Sequence, residues 1–305
     1  MTGHGGEPPD APVGGPRTSR GAALVGAALN GLARPAPGLA GRAAYGLFCH
    51  PLRRGKVLPR ERDVHERAVT TEPTVAGKRV RVYRWGSGAH PVLMLHGWRS
   101  RASRYAAFVP KLEESGLTAL SFDAPGHGDS PGRSTTILEY RAITRRLQEE
   151  YGDFHAVIGH SLGAAGAFLA LRGGVRAERL VTVSAMRDFG HFPDEFARML
   201  GLGGGLHADL RHRIAHRLFA AVEDPWDLFD ATGRPHEIKA PMRILHDTDD
   251  EMVPVAHAYA LKAAYGDQAE LVLTRGLGHR KVLGEPAVVE SALDFIASSP
   301  RGTPF

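Results

Sequence analysis

From about Val69 onward, short apolar runs alternate along the chain with longer amphipathic stretches. Two continuous apolar runs, Pro91–Leu95 and Ala156–Ile158, are typical of strands that are buried on both faces. The stretches that follow them carry apolar residues at helical spacing. This alternation predicts an α/β fold with a mostly parallel, twisted sheet, right-handed crossovers and helices on both faces.

The other elements follow from the same pattern. Polar and apolar residues alternate in Lys78–Trp85, which is typical of a half-exposed antiparallel strand at the edge of a sheet. The remaining predicted strands lie at Leu117–Phe122, Arg179–Val183, Met242–Leu245 and Glu270–Thr274, and the helices at Ser103–Ser115, Ile137–Tyr151, after Ser161, after Pro254 and at Pro286–Ala297.

Between about Met186 and Glu237 an aromatic-rich, mainly helical pattern interrupts the alternation. We interpret this segment as an inserted cap, with most of its aromatic side chains in its own core and a minority facing a substrate. Its glycine run, Gly201–Gly205, lies between predicted helices and is expected to be a flexible joint rather than a phosphate-binding loop.

Outside the main unit, composition defines three further segments. Residues 1–20 are rich in glycine and proline and are expected to be disordered. Residues 21–68 are expected to form a helical N-terminal extension packed on the main body. Apolar residues lie at loosely helical spacing there, and Pro35 and Pro37 interrupt this pattern, which indicates one or two short helices. The main α/β domain is then expected to span 69–298, and residues 299–305 to form a tail.

Composition and charge restrict the function classes. The net charge is +5, but the arginines are scattered, so nucleic acid is not expected as a partner. Cys49 is the only cysteine, which excludes an intrachain disulfide and a cysteine-based zinc site. No apolar run approaches the ~20 residues of a membrane span. We expect a cytoplasmic protein; a signal-like stretch at Gly21–Ala33 and a basic run at Arg53–Lys56 leave export and membrane-surface binding as alternatives.

The strand at Ala156 leads into Gly159-His160-Ser161-Leu162-Gly163, and an alanine-rich helical stretch follows. This is a G-x-S-x-G nucleophile elbow in its expected strand–turn–helix context. Small residues are needed at Gly159 and Gly163, because a side chain there would strike a neighbouring strand or helix. Ser161 is then exposed near a helix N-terminus, which favours a developing negative charge.

A serine hydroxyl needs a histidine to accept its proton and an acid to orient that histidine. Catalytic groups in parallel sheets gather beyond the carboxyl ends of the strands. The loops after Leu245 and Thr274 are therefore the candidate sources, and they contain His246–Asp250 and Gly276–His279.

At this point the chain resembles the α/β-hydrolase superfamily, from about Val80 to Ile296. Four signatures occur in order: His96-Gly97 after a buried strand, the loop Asp123–Ser130, the elbow, and an acid followed by a histidine. Within the superfamily the chain is similar to a loosely defined bacterial group with a helical N-terminal extension and a Gly-Leu-Gly-His ending.

The resemblance implies specific roles. Ser161 is the nucleophile, His279 the base and Asp250 the acid, which is preferred to Asp249 because the family's acid precedes a Val-Pro pair at this interval. The backbone N–H groups of Leu162 and Trp98 are expected to form the oxyanion hole. No cofactor or metal is expected, and the expected partner is a small acyl substrate.

The leading hypothesis is thus a serine hydrolase that cleaves an ester, thioester or related acyl compound through an acyl-enzyme. The same triad could instead hydrolyse a carbon–carbon bond or support perhydrolase chemistry, because a fold does not determine function. A third hypothesis is a non-catalytic binding protein. A serine at the elbow argues against halide displacement and epoxide opening, which require a carboxylate there.

Several polar residues are interpreted as structural rather than chemical. His96 and His160 are expected to support loop geometry, and His127 with Asp129 to belong to a turn. His212 and His216 are expected on a solvated helix face. For Arg99 and Arg101 we favour solvated surface, with contact to an anionic substrate group as the alternative.

Overall fold

The computed structural model describes residues 20–51, 53–88 and 90–298, and the structural statements below refer to these residues. The expectations for residues 1–19 and for the 299–305 tail lie outside them. No helix in this part of the chain is long and apolar enough to cross a membrane.

The ten strands are short, and eight of them form one sheet. They are β1 (Val69–Thr71), β2 (Thr74–Val75), β3 (Lys78–Arg79), β4 (Arg81–Trp85), β5 (Pro91–Leu95), β6 (Thr118–Asp123), β7 (Ala156–His160), β8 (Leu180–Val183), β9 (Met242–Asp247) and β10 (Ala269–Thr274). The strand order is β1-β4-β6-β5-β7-β8-β9-β10, and β2 pairs with β3 separately. Strands β5 to β10 run parallel, and β1 and β4 pair antiparallel.

The helices lie before, between and after these strands. They are α1 (Arg20–Ala33), α2 (Pro37–Cys49), α3 (Arg62–Glu66), α4 (Val109–Glu114), α5 (Ile137–Tyr151), α6 (Leu162–Arg172), α7 (His191–Leu200), α8 (Gly204–Arg213), α9 (Pro225–Leu228), α10 (Ala256–Tyr265), α11 (Gly278–Lys281) and α12 (Pro286–Ala297). A π-helical turn, Ile214–Leu218, follows α8.

Helices cover both faces of the sheet, so the predicted fold class is confirmed. Side chains of β5 alternate between two cores: Leu93 and Leu95 join one that contains residues of α5, α6 and α10, whereas Val92 and Met94 join one that contains residues of α4 and α12. All four are completely buried, which explains why β5 reads as a continuous apolar run.

Two local predictions are wrong. β4 is antiparallel as expected but is not the edge, because β1 pairs with its outer side; a three-residue strand is too short to leave a hydrophobic pattern. The helix expected at Ser103–Ser115 is divided into a 3₁₀ turn, Ala102–Tyr105, and α4. Pro110 lies in the first turn of α4, and proline is tolerated there but not in a helix interior.

The segment between β8 and β9 contains α7, α8, the π-helical turn and α9, in agreement with the mainly helical pattern. We call it the β8–β9 insertion. The N-terminal helices α1 and α2 pack against this insertion, through a cluster that includes Leu29, Ala40, Ala44 and Leu206. The N-terminal extension therefore contacts the insertion, where the pattern predicted only packing on the main body.

The connection between α7 and α8 is held by a residue of α1. The Asn30 side chain donates a hydrogen bond to the Gly201 carbonyl (2.7 Å) and accepts one from the Gly203 N–H (2.8 Å). Gly201 itself has a left-handed backbone, with φ of 62°. Gly204 and Gly205 begin α8, so the joint is shorter than the glycine run, and its expected flexibility stays a prediction.

Replacing Gly26 by alanine should destabilise the protein, because a Cβ at this position would lie 1.6 Å from the Leu200 carbonyl oxygen of α7. We expect a loss of about 1–3 kcal/mol in the free energy of urea unfolding. Gly31→Ala is the matched control in the same helix: nothing lies within 4 Å of its Cβ position. Its expected effect is a gain of up to about 1 kcal/mol from helix propensity. Equal effects of the two substitutions would contradict the α1–α7 contact.

Candidate active site

Ser161 lies at a sharp turn between β7 and α6. Its φ is 54° and its ψ is −120°, a strained combination for a residue with a side chain. A Cβ at Gly159 would lie 2.5 Å from Cα of Ala164, and one at Gly163 would lie 2.0 Å from the Leu95 carbonyl oxygen. Both glycines are therefore required by close backbone approach, for the reason that the sequence suggested.

The structure brings Ser161, His279 and Asp250 together from three different loops. His279 Nε2 is 3.1 Å from Ser161 Oγ, and His279 Nδ1 is 2.8 Å from Asp250 Oδ2. With the proton on Nδ1, the imidazole donates to the carboxylate and accepts from the serine hydroxyl. All three side chains are buried. The arrangement is that of a nucleophile, a base and an orienting acid.

Asp250 is fixed by its own loop. Its Oδ1 accepts hydrogen bonds from the N–H groups of Met252 and Val253, both at 2.9 Å. Burial alone raises the pKa of a carboxyl group, but the His279 contact and the Val253 N–H outweigh it and lower the pKa of Asp250 to about 2. Asp249, the alternative acid, is half exposed and has Arg275 Nε at 3.9 Å.

Asp247, at the end of β9, positions the loop that carries His279. Its carboxylate accepts hydrogen bonds from the N–H groups of Leu277 (3.1 Å) and Gly278 (2.9 Å) and from the Thr274 hydroxyl (2.7 Å). Sequence reasoning missed this role. The signal available was only an aspartate at a strand end, in a loop that holds three aspartates.

His160, next to the serine, also supports His279. Its Nε2 donates to the His279 carbonyl (2.9 Å), and the two rings lie 5.0 Å apart. Burial, with the nearby His279, lowers the pKa of His160 to about 3, so the ring is neutral near pH 7.

His96 holds the turn after β5. Its Nε2 accepts a hydrogen bond from the Ala124 N–H (3.0 Å), and its Nδ1 donates to the Gly97 carbonyl (2.7 Å). Neither His96 nor His160 contacts Ser161 Oγ through a hydrogen bond. Their geometry agrees with the interpretation that they support the loops.

The two N–H groups proposed for the oxyanion hole lie on either side of Ser161. Leu162 follows it at the start of α6, and Trp98 follows Gly97, whose Cβ position is 3.1 Å from Ser161 Cβ. Within the described part of the chain, neither backbone N–H donates a hydrogen bond to a protein acceptor. Leu162 is buried and Trp98 is partly exposed, and their role as oxyanion donors stays a prediction.

A small apolar cavity of about 20 Å³ adjoins Trp98 and Leu162. Its lining comes from α2, the loops after β5 and β6, the start of α6 and the β8–β9 insertion: Phe48, Cys49, Trp98, Thr135, Thr136, Ile137, Leu162, Phe189, Phe192, Leu218 and Phe219. Phe48 also contacts Phe192, with ring centroids 5.2 Å apart. The contribution of the N-terminal extension to this cavity was not visible in the sequence.

The loop after β6 forms a buried polar network. Asp129 accepts hydrogen bonds from Arg101 (2.6 Å) and from the Tyr83 hydroxyl (2.9 Å), and His127 packs against Trp98 with ring centroids 5.0 Å apart. The turn interpretation of His127 and Asp129 agrees with this arrangement. The expectation for Arg101 is wrong: it is 4% exposed, because its guanidinium is bound in this network.

His212 and His216 are exposed and their rings stack with centroids 4.1 Å apart. Among the described residues, no group of three or more His, Cys, Asp or Glu side chains has the geometry to hold a metal ion.

Comparisons with known proteins agree with the fold. A model of the alpha/beta hydrolase family matches residues 92–292. A dihydrolipoyllysine-residue acetyltransferase component of the acetoin cleaving system from Cupriavidus necator is 36% identical over 92 residues, which are 29% of this chain and 24% of that protein. A serine hydrolase-like protein from Danio rerio is 34% identical over 124 residues, or 38% and 36% of the two chains.

The chain thus spans between about a quarter and about half of the length of the curated relatives it matches. Among solved structures, an esterase from Pyrococcus furiosus superposes with a TM-score of 0.60 and 21% identity, over 81% of this chain and 95% of that one. At that identity the likeness shows the fold alone.

The family match covers well over half of the chain, and the protein belongs to the alpha/beta hydrolase family.

The contact between Asp250 and His279 should give stability a characteristic pH dependence. Because the folded-state pKa of Asp250 (about 2) is below the ordinary value of about 3.9, its stabilising contribution is present above pH 4 and is lost as the pH falls towards 2. At about 1.4 kcal/mol per pKa unit, this contribution is about 2.6 kcal/mol at pH 6 and about 1 kcal/mol less at pH 3.

Urea unfolding of the wild type and of Asp250→Asn at pH 6 and pH 3 measures this difference. The advantage of the wild type should shrink by about 1 kcal/mol at pH 3. Asp249→Asn, on the same loop, serves as the control for loss of a carboxylate that does not touch His279. An advantage of the same size at both pH values would contradict the pKa of Asp250.

Proposed function

We propose that this member of the alpha/beta hydrolase family is a serine hydrolase that cleaves an ester, thioester or related acyl substrate through an acyl-enzyme. The observation that carries the proposal is the continuous contact from Ser161 Oγ through His279 to Asp250. A serine-containing elbow with a hydrogen-bonded base and acid is the arrangement that acyl transfer requires.

In the proposed first step, Ser161 Oγ attacks the carbonyl carbon and His279 Nε2 takes the hydroxyl proton. The carbonyl oxygen becomes an oxyanion, which the N–H groups of Leu162 and Trp98 stabilise; loss of one such donor typically costs about 3 kcal/mol of barrier. The ionised Asp250 carboxylate stabilises the imidazolium and holds the Nδ1 tautomer.

In the second half of the reaction, His279 donates its proton to the leaving group as the bond to the carbonyl carbon breaks. A water molecule, deprotonated by the same imidazole, then attacks the acyl-enzyme and releases the acid, which regenerates Ser161. Every proton moves through His279, so no cofactor enters these steps.

The apolar cavity beside Leu162 is the proposed site of the acyl chain. Its phenylalanine and leucine lining favours hydrocarbon, and its volume of about 20 Å³ is far below the roughly 300 Å³ of a ligand pocket, so an acyl chain would enter only if the lining side chains moved apart. We infer that the β8–β9 insertion acts as a cap over this chain, since Phe189, Phe192 and Phe219 come from it. The names of similar proteins, an esterase and a serine hydrolase-like protein, are consistent with this chemistry.

Labelling with a fluorophosphonate probe tests the nucleophile. We expect the wild type to be labelled, Ser161→Ala to lose labelling completely and His279→Ala to react much more slowly, since the serine loses its base. Ser115→Ala, which changes an exposed serine at the end of α4, is the control and should be labelled like the wild type. Labelling that persists in Ser161→Ala would exclude Ser161 as the nucleophile. Labelling without turnover of esters of increasing chain length would favour carbon–carbon hydrolysis or perhydrolase chemistry.

The identity of the acid is tested by a pair of adjacent substitutions. Asp250→Asn should lower kcat for the best ester by about 10³- to 10⁴-fold, because an amide cannot hold the required tautomer or stabilise the imidazolium. Asp249→Asn should leave kcat within about threefold, since Asp249 lies outside the contact with His279. Steady-state kinetics on the two purified variants measures this, and the reverse order of effects would reassign the acid.

A further inference from the structure

A second, larger cavity is a groove of about 830 Å³ lined by Arg53, Arg54, Gly55, Lys56, Val57, Arg101, Gly128 and Asp129. The loop after β5 contributes to both cavities, since Trp98 lines the apolar cavity and Arg101 lines the groove. We call it the basic groove.

Some charges of the basic groove are already neutralised or bound within the protein. Arg54 donates hydrogen bonds to the carbonyls of Ser130 (2.7 Å) and Gly132 (2.7 Å). The Asp129 carboxylate, the one acidic group of the lining, is engaged by Arg101. Arg101 also lies 3.5 Å from the Asp123 carboxylate, so its one positive charge is shared by two carboxylates, and the Asp129 side chain is 47% exposed. The three arginines and one lysine of the lining still outnumber these two acids.

Other cations of this region have no counterion. Within the described residues, the side chains of Arg53 and Lys56 form no hydrogen bond and no ion pair. The same holds for Arg99 and Arg280, which are also exposed. Burial and the positive charges of Arg280 and Arg53 lower the pKa of Arg99, which indicates that the three guanidinium groups lie close enough to repel one another.

The positions of these cations connect them to the candidate active site. Arg99 follows Trp98, and Arg280 follows His279. Gly55 packs directly on the backbone of this loop, because its Cβ position is 3.2 Å from the Arg99 carbonyl oxygen. Two of the unpaired cations therefore belong to the segments that carry Trp98 and His279, and the groove residue Gly55 contacts the first of these segments.

Unpaired like charges held close together destabilise a folded protein, and a concave surface that carries them attracts an anion of opposite charge. Arginine and lysine side chains of this kind are the usual ligands of phosphate oxygens. The apolar cavity, by contrast, offers no charged group to an anion.

We propose that the basic groove binds a phosphate carried by the leaving group of the substrate, so that the substrate is an acyl ester or thioester with a phosphate-bearing alcohol or thiol. The proposal rests on the serine hydrolase function above for the reaction, but the binding of phosphate does not depend on it. The acyl chain occupies the apolar cavity, the carbonyl lies at Ser161, and Arg53 and Lys56 contact the phosphate. The phosphate could belong to a coenzyme A thiol or to the glycerol phosphate of a lipid.

The catalytic arm of the test compares substrates with the same butanoyl group. The specificity constants kcat/KM are measured for butanoyl-coenzyme A, for 1-butanoylglycerol 3-phosphate and for the neutral 1-butanoylglycerol. In the wild type, at least one phosphate-bearing substrate should exceed the neutral ester at least tenfold. The ratio of kcat/KM for that phosphate-bearing substrate to kcat/KM for the neutral ester should fall at least tenfold in the double variant Arg53→Gln/Lys56→Gln. The substrate whose ratio responds identifies the source of the phosphate.

Arg34→Gln/Arg42→Gln is the matched control, because it removes two exposed, unpaired arginines of the N-terminal helices and changes the net charge equally. Its ratio should remain within about twofold of the wild type. An equal fall of this ratio in both double variants would attribute the effect to net charge and would overturn the proposal. A wild type that shows no preference for a phosphate-bearing substrate would also overturn it.

A binding arm separates failure of this inference from failure of the catalytic proposal. In a Ser161→Ala background, calorimetry with coenzyme A, glycerol 3-phosphate and inorganic phosphate should give a Kd for at least one organic phosphate that weakens at least tenfold in Arg53→Gln/Lys56→Gln. If no ester or thioester is hydrolysed but this binding is observed, the hydrolase function fails and the groove assignment stands. If esters are hydrolysed but no organic phosphate binds, the groove assignment fails alone.

Discussion

The geometry of the site depends on how closely α6 and the strand ends approach one another at Ser161. Gly163 allows the helix to abut the Leu95 carbonyl at the end of β5, and Gly97 allows the next loop to reach the serine itself. These approaches hold Ser161 in its strained backbone and place Gly97, which precedes Trp98, beside the serine at the start of α6. One packing constraint therefore positions the serine and the two backbone segments that flank it.

The central sheet and the elbow could be predicted from sequence because their signals are local. A continuous apolar run indicates a strand such as β5, and five consecutive residues contain the elbow. The choice of Asp250 over Asp249 came from a family resemblance, and the structure supplies a physical reason for the interval: the Val253 N–H donates to the Asp250 carboxylate. The Val-Pro that follows at this distance belongs to the turn that orients the acid.

The remaining features could not be predicted because they join residues that are far apart in the chain. Asn30 clamps Gly201 and Gly203 across about 170 positions, and no local pattern marks an asparagine in a helix for that task. Asp247 is one of three aspartates in its loop, and only the folded position of Gly278 distinguishes it. Short elements could not be predicted for a related reason, since a strand as short as β1 contains too few residues to establish a period of hydrophobic residues.

The clustering of charged side chains in the fold could not be predicted from the sequence either, and it bears on the proposed ligand. Along the sequence the arginines are scattered, and this dispersion argues against an extended polyanion such as nucleic acid. Folding brings Arg53, Arg99 and Arg280 close together from three separate segments, and Arg53 lines the basic groove. A patch of this size matches a compact anion rather than a polymer. Composition thus gives only the net charge, whereas the fold determines which cations lie close together.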